Sequence, residues 1–194
     1  MKRLRETNIN APEYTDNLFI TVDKNNLLRQ EKYLSYLENT AGWRVIELGC
    51  GTSYFPQMAS EWNDSWGLDW GRKTMERMAQ EFSRVKYIVG DVLNTPFTKE
   101  FFNVVVAGEL IEHIEEPTEL VEEMNRLCKP GGKMILSTPH LEFDDPEHIW
   151  EFEESDLHEM FQIYGNVTTE TIKSEKFPGR EYIFMVCRKH TKLL

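Results

Sequence analysis

The sequence predicts an α/β domain: a seven-stranded, mostly parallel sheet with helices on both faces and an antiparallel C-terminal hairpin. Three observations carry this. From Trp43 to Ser137, short apolar runs alternate with segments of helical period, the pattern of parallel βαβ units with right-handed crossovers. The run Val45-Ile46-Glu47-Leu48 feeds Gly49-Cys50-Gly51 and then a helical segment, which is how such a fold builds a nucleotide cradle. Two final β-like runs, 167–172 and 181–187, follow each other without a helix, so they should pair antiparallel.

Taken in order, residues 1–24 are polar with scattered aromatics (Tyr14, Phe19), after which Leu27, Leu28, Tyr33, Leu34 and Leu37 recur at helical spacing. Residues 1–42 therefore read as a mobile arm and first helix able to serve as a lid, and 43–194 as the main domain. Strands are expected at 43–48, 65–69, 85–89, 102–107 and 132–137, with helices at about 54–62 and 72–83. A helix over 117–128 is delimited by Pro117 at its start, Leu120, Val121, Met124, Leu127 and Cys128 on one face, and Pro130-Gly131-Gly132 as its stop. Another is expected over 155–164, with Ser155 as its cap, Leu157, Met160, Phe161 and Tyr164 as its apolar stripe, and Gly165 after it.

The 194 residues, 40% hydrophobic and 28% charged, suit one domain with a full core. Lys+Arg number 22 against Asp+Glu 33, a net −11 that repels polyanions unless basic residues cluster. Lys176, Arg180, Arg188, Lys189 and Lys192 are too sparse to form an RNA track. Cys50, Cys128 and Cys187 form no C-x-x-C pair, which argues against a disulfide framework or zinc site and for a reducing compartment. No apolar run approaches a membrane span and the N-terminus lacks the apolar core of a secretion signal, so a cytoplasmic protein, monomeric or homodimeric, is expected.

Gly49 and Gly51 let the main chain press against a ligand. A full G-x-G-x-x-G would place glycine where Tyr54 stands, which disfavours a dinucleotide and a nicotinamide-linked oxidoreductase. Asp69 ends the next apolar run, about 20 residues on, where a carboxylate accepts hydrogen bonds from ribose hydroxyls. Gly90-Asp91 ends the third, placing a second carboxylate where an exocyclic amine can donate to it. Trp70 and Val92 follow these acids as candidates to sandwich a base, and Gly108 falls at the next strand end. The plainer alternative makes Asp69 and Asp91 caps of their own loops.

These residues, together with Glu47-Leu48-Gly49-Cys50-Gly51-Thr52, the strand-like Phe102-Asn103-Val104-Val105-Val106-Ala107 and Lys129-Pro130-Gly131-Gly132-Lys133-Met134-Ile135-Leu136-Ser137-Thr138-Pro139, resemble the class I S-adenosylmethionine-dependent methyltransferases of the type 11/23 kind from about Trp43 to Arg188. The resemblance implies a Rossmann-like fold and S-adenosylmethionine held by Glu47, Gly49, Cys50, Gly51, Asp69, Trp70, Asp91, Val92 and Gly108. The sequence departs from the family at Ser53, where a third glycine is commoner, and at His140, where asparagine usually follows Thr-Pro.

Glu109, Glu112 and His113 stand at i, i+3 and i+4, which on a helical turn faces both carboxylates and the imidazole one way. His148 follows from the loop after the next strand. This set resembles the metal-binding residues of the ubiquinone-pathway O-methyltransferases and of the Hen-type small-RNA 2′-O-methyltransferases. Two carboxylates and two imidazoles suit Mg²⁺, Mn²⁺ or Fe²⁺. The competing reading makes His113, or His148, a general base without metal. The expected function is transfer of a methyl group to oxygen or nitrogen of a small-molecule or sugar acceptor. RNA 2′-O-methylation is a rival in the same chemistry, and a catalytically inert S-adenosylmethionine-binding regulatory module is a rival in another class. Glu115-Glu116 and Asp144-Asp145 read as solvated acidic rims able to repel anions.

Overall fold

The computed structural model describes residues 1–4, 24–140, 147–174 and 179–191, with side chains of the first helix described from residue 27. Its strands are β1 (Lys2–Arg3), β2 (Arg44–Leu48), β3 (Asp64–Asp69), β4 (Lys86–Val89), β5 (Phe102–Gly108), β6 (Cys128–His140), β7 (Trp150–Glu151), β8 (Gly165–Lys173) and β9 (Glu181–Lys189). Its helices are α1 (Lys24–Ser35), α2 (Phe55–Ala59), α3 (Arg72–Glu81), α4 (Pro117–Leu127) and α5 (Glu154–Phe161), with a 3₁₀ turn at Ile111–His113. Seven strands form the expected sheet in the order β4-β3-β2-β5-β6-β9-β8, parallel from β4 to β6 and antiparallel from β6 through β9 to β8. The later strand of the hairpin lies inside: Tyr182–Met185 of β9 are buried, whereas β8 alternates exposed and half-buried positions as an edge does.

Strand alternation divides the core between the two faces. Val45, Val104, Val106 and Ile135 meet Tyr33 of α1 and Phe55 and Ala59 of α2. Ile46, Leu48, Val105 and Ala107 meet Leu120, Val121, Met124 and Leu127 of α4 and Leu157 and Phe161 of α5. Because the parallel strands run in register, with Leu48 beside both Leu68 and Ala107, their carboxyl ends open at one edge of the sheet. No helix among the described residues is long and apolar enough to cross a membrane.

Four expectations are corrected in detail. The last α-helix begins at Glu154, so Ser155 sits in its first turn and is no cap; Glu153 holds the N-cap position, its backbone N–H donating to Asp156 Oδ2 at 2.9 Å. The chain is already extended at Cys128, and β6 runs through Pro130-Gly131-Gly132 with an irregularity in its pairing between Phe102 and Val104. On α1 the buried residues are Gln30 and Tyr33, with Leu37 just beyond the helix, while Leu28 is exposed. The end of the arm is not loose at residues 2–3, where β1 pairs antiparallel with β7 and Leu4 N–H donates to Ile149 O at 2.6 Å. The rest of the arm, Tyr14 and Phe19 included, lies outside the described residues, as do Asp144, Asp145, Lys176 and Lys192.

Candidate active site

A cavity of about 720 Å³ opens at the carboxyl ends of the parallel strands. All nine residues that the sequence assigns to a cofactor line it: Glu47, Gly49, Cys50, Gly51, Asp69, Trp70, Asp91, Val92 and Gly108. Gly49 and Gly51 both have positive φ, +65° and +44°, and a Cβ on Gly49 would lie 2.8 Å from Leu110 Cδ1, so the bend between β2 and α2 needs glycine at its first position. Asp69 is buried and braces this bend: Oδ2 accepts Gly51 N–H at 3.0 Å and Oδ1 accepts Gly71 N–H at 2.9 Å. Asp91 Oδ1 accepts Leu93 N–H at 2.9 Å. Both acids therefore accept backbone N–H groups of the loops at the strand ends, and both line the cavity as well. Cys50 presents backbone here, since its buried thiol lies 3.8 Å from Met75 Sδ and burial pushes its pKa well up.

Glu47 is a second buried acid of the cavity. Its Oε2 has no hydrogen-bond partner among the described residues, and burial pushes its pKa up to about 8, against the opposing pull of Ser53 and Arg29. A carboxyl with a raised folded-state pKa favours folding most below the unfolded value of 4.5, and that contribution is lost as pH rises toward 8. Across that window the ligand-free protein should lose stability relative to Glu47→Gln, as read by paired denaturant titrations; parallel curves would contradict the buried placement.

The second constellation is assembled differently from its expected geometry. Glu109 has φ +52°, so it stands outside the 3₁₀ turn and does not share a helical face with Glu112 and His113. Its Oε1 accepts Ser137 Oγ–H at 2.8 Å and its Oε2 lies 3.4 Å from Arg29. Glu112, His113 and His148 do converge, with one potential ligand atom from each within 4.8 Å of the others. Glu112 is buried; Oε2 accepts the Thr138 hydroxyl at 3.0 Å, while Oε1 has no hydrogen-bond partner among the described residues and faces His113 Nε2 at 3.9 Å. Burial, then the charge of Glu109, pushes its pKa well up. The His113 and His148 rings meet edge to face at 4.9 Å, and His113 Nδ1 is 3.0 Å from the Glu147 carbonyl. A carbonyl only accepts, so Nδ1 carries the proton and Nε2 of the neutral ring holds the lone pair. Of Glu109, Glu112, His113 and His148, the first and third line the cavity.

Residues 46–136 match the methyltransferase domain family. A probable S-adenosylmethionine-dependent methyltransferase of Mycolicibacterium smegmatis is 27% identical over 72% of this chain and 58% of its own length. Over residues 46–136 the chain carries this methyltransferase domain, and it is similar to the class I S-adenosylmethionine-dependent methyltransferases. Within that family the ubiquinone biosynthesis O-methyltransferase of Vibrio cholerae is 29% identical over 58% of this chain and 49% of its own length. The chain thus spans about half the length of these curated relatives. The class I fold is shared with phosphoethanolamine N-methyltransferase 2 of Haemonchus contortus, solved with S-adenosylmethionine, at TM-score 0.69 and 18% identity over 92% of this chain and 56% of that one. It is shared equally with a structure described as the [4+2]-cyclase SpnF, at TM-score 0.72 and 16% identity over 86% and 81% of the two chains. Fold alone therefore leaves the chemistry to the site.

In this chain α1 completes the cavity with Arg29, Gln30 and Tyr33, none of which the sequence singles out for function. Arg29 lies against Glu109 and over the Tyr182 ring at 4.7 Å. The Tyr33 hydroxyl, buried, hydrogen-bonds Ser137, which in turn donates to Glu109. Gly108 makes this possible: a Cβ there would stand 2.3 Å from the Tyr33 hydroxyl oxygen. The one available signal was Gln30, a polar residue at i, i+3, i+7 with Tyr33 and Leu37 on the buried stripe.

Proposed function

We propose that this chain binds S-adenosylmethionine in the 720 Å³ cavity and transfers its methyl group to oxygen or nitrogen of a small-molecule or sugar acceptor. The observation that carries this reading is the convergence of all nine expected cofactor residues on one cavity at the parallel-strand ends. The methionine tail rests on the Gly49-Cys50-Gly51 bend beside Glu47 and Arg29, Asp69 takes the ribose hydroxyls, and Asp91 takes the exocyclic amine of an adenine held between Trp70 and Val92. Residues 1–42 serve as the lid, with α1 already lining the cavity. The acceptor attacks in line; its lone pair forms the new bond to the methyl carbon, the carbon–sulfur pair returns to sulfur, and the acceptor's proton leaves to a base. His113 Nε2, with its lone pair and its place on the cavity, is that base, and His148 packs against it. Three buried free thiols support the expected reducing, cytoplasmic setting.

The Oε1 of Glu112, without a hydrogen-bond partner among the described residues and beside two imidazoles, also fits a divalent ion, and Glu112, His113 and His148 would hold it. Bound there, it would lower the pKa of a coordinated acceptor hydroxyl and orient it. Glu109 joins Arg29 and Ser137 instead of that set. The same cluster supports the second reading, 2′-O-methylation at an RNA end; RNA binding that weakens steeply with salt would favour it. The inert regulatory module is dismissed by turnover of any acceptor.

Calorimetry with S-adenosylmethionine and NAD side by side tests the cofactor: tight binding of NAD alone overturns the proposal. His113→Ala should lower turnover by two orders of magnitude or more, on the order of a lost general base (roughly 10²–10⁴-fold), with cofactor affinity nearly intact, and if a divalent ion is bound Glu112→Ala should do the same. Inhibition by excess chelator assigns the role to metal; full activity in chelator assigns it to His113.

A further inference from the structure

The charge lining the cavity is far more one-sided than the charge of the chain. The chain has 33 acidic residues to 22 basic ones. Among the described residues, the cavity is lined by eight Asp or Glu, one Arg and no Lys. Glu47, Asp69 and Asp91 belong to the proposed cofactor end, and Glu109 faces Arg29. The remaining four, Glu115, Glu116, Glu119 and Glu147, line the cavity too and stand within six residues of His113 or next to His148 in sequence. Glu115 is paired with Arg3. Glu119, in the first turn of α4, complements that helix's dipole, but Glu116 at the N-cap makes no side-chain cap hydrogen bond, so capping does not account for it. A second observation is independent of charge. Gln30 is 5% exposed, lines the same cavity, and its Oε1 has no hydrogen-bond partner among the described residues. A buried acceptor oxygen of this kind needs a donor from whatever fills the space.

Resting on the reading of this cavity as a methyltransferase site, we propose that its acceptor is a small molecule bearing a protonated amine, drawn in by Glu116, Glu119 and Glu147 and able to donate to Gln30. The sulfonium of the cofactor is itself a cation, so a second cation in one cavity is tolerated only where carboxylates outnumber bases, as they do here. The same field turns away carboxylate and phosphate acceptors, RNA among them.

The test uses the full chain saturated with S-adenosylhomocysteine, in excess chelator so that a metal ion cannot stand in for the cation. Ligand-observed NMR then compares matched probes differing in charge: benzylamine, benzyl alcohol and benzoate, and glucosamine, glucose and glucuronate. The amines should bind best. Their affinity should fall roughly five- to tenfold in the Glu116→Gln/Glu119→Gln double variant, the size expected for two exposed charges, with S-adenosylhomocysteine affinity unchanged. Binding of the carboxylates as strong as that of the amines, no preference by charge, or amine binding untouched by the double variant overturns the proposal. Loss of S-adenosylhomocysteine binding by the unaltered chain is a different result, and it strikes the underlying cofactor reading.

Discussion

Replacing Asp69 by alanine is expected to cut S-adenosylmethionine affinity by roughly 100-fold or more, the largest effect of any single change in the cavity. Hydrogen bonds to a charged group contribute about 1.5–3 kcal/mol each, and the proposed grip on the ribose uses two. The substitution also strands the N–H groups of Gly51 and Gly71, which now donate to the carboxylate at 3.0 and 2.9 Å. Each buried donor left without a partner costs about 1–3 kcal/mol, so the denaturation midpoint should fall as well. Asp69→Asn separates the two effects in part, because its single amide oxygen still accepts from one of Gly51 and Gly71 while its NH2 faces the other N–H and the negative charge is gone. Calorimetry on folded Asp69→Asn should show weakened but measurable binding. Unchanged affinity in either folded variant would falsify the assignment of Asp69 to the ribose.

Gly108→Ala should destabilise the protein by about 1–3 kcal/mol, the cost of forcing a methyl into a packed site, and should weaken cofactor binding at the same time. The new Cβ would stand 2.3 Å from the Tyr33 hydroxyl oxygen and 2.9 Å from Cζ, so α1 must shift away from the strand end. That shift carries Arg29 and Gln30 out of the cavity and breaks the chain from Tyr33 through Ser137 to Glu109. Adding Tyr33→Phe to Gly108→Ala removes the nearest clashing atom and should restore part of the stability, although Tyr33→Phe alone is mildly destabilising because it removes the buried bond to Ser137. Additive losses in this double-variant cycle would mean that α1 does not dock on Gly108.

Much of the sheet was legible because its signals are local. Val104 and Val106 pack toward α1 and α2 while Val105 and Ala107 pack toward α4 and α5, and a strand buried on both faces reads as an unbroken apolar run whatever its neighbours are. The residues lining the cavity at the strand ends were legible for a related reason: parallel strands end at one edge, so residues that close successive runs, such as Gly49, Asp69 and Gly108, meet without further information. The acidic turn was legible only in composition. Spacing put Glu109, Glu112 and His113 on one helical face, yet the positive φ of Glu109 breaks that face, and Arg29, distant in sequence, lies against the carboxylate. Ser155 failed as a cap for a similar reason, since Glu153, with Asp156, caps the helix two residues earlier. Short-range patterns do not rank competing partners.

By itself, then, the sequence determined the order of strands and helices along the chain, the glycine bend after β2, and the set of residues that reach the open edge of the sheet, because each follows from periodicity or from backbone freedom at a few positions. Tertiary structure alone decided that β9 lies inside β8, that α1 closes the cavity with Arg29, Gln30 and Tyr33, and that Glu112, His113 and His148 converge while Glu109 does not. Those outcomes depend on which side chains come within hydrogen-bonding or ion-pairing distance after the chain is packed, and no spacing along one segment encodes a distance to another.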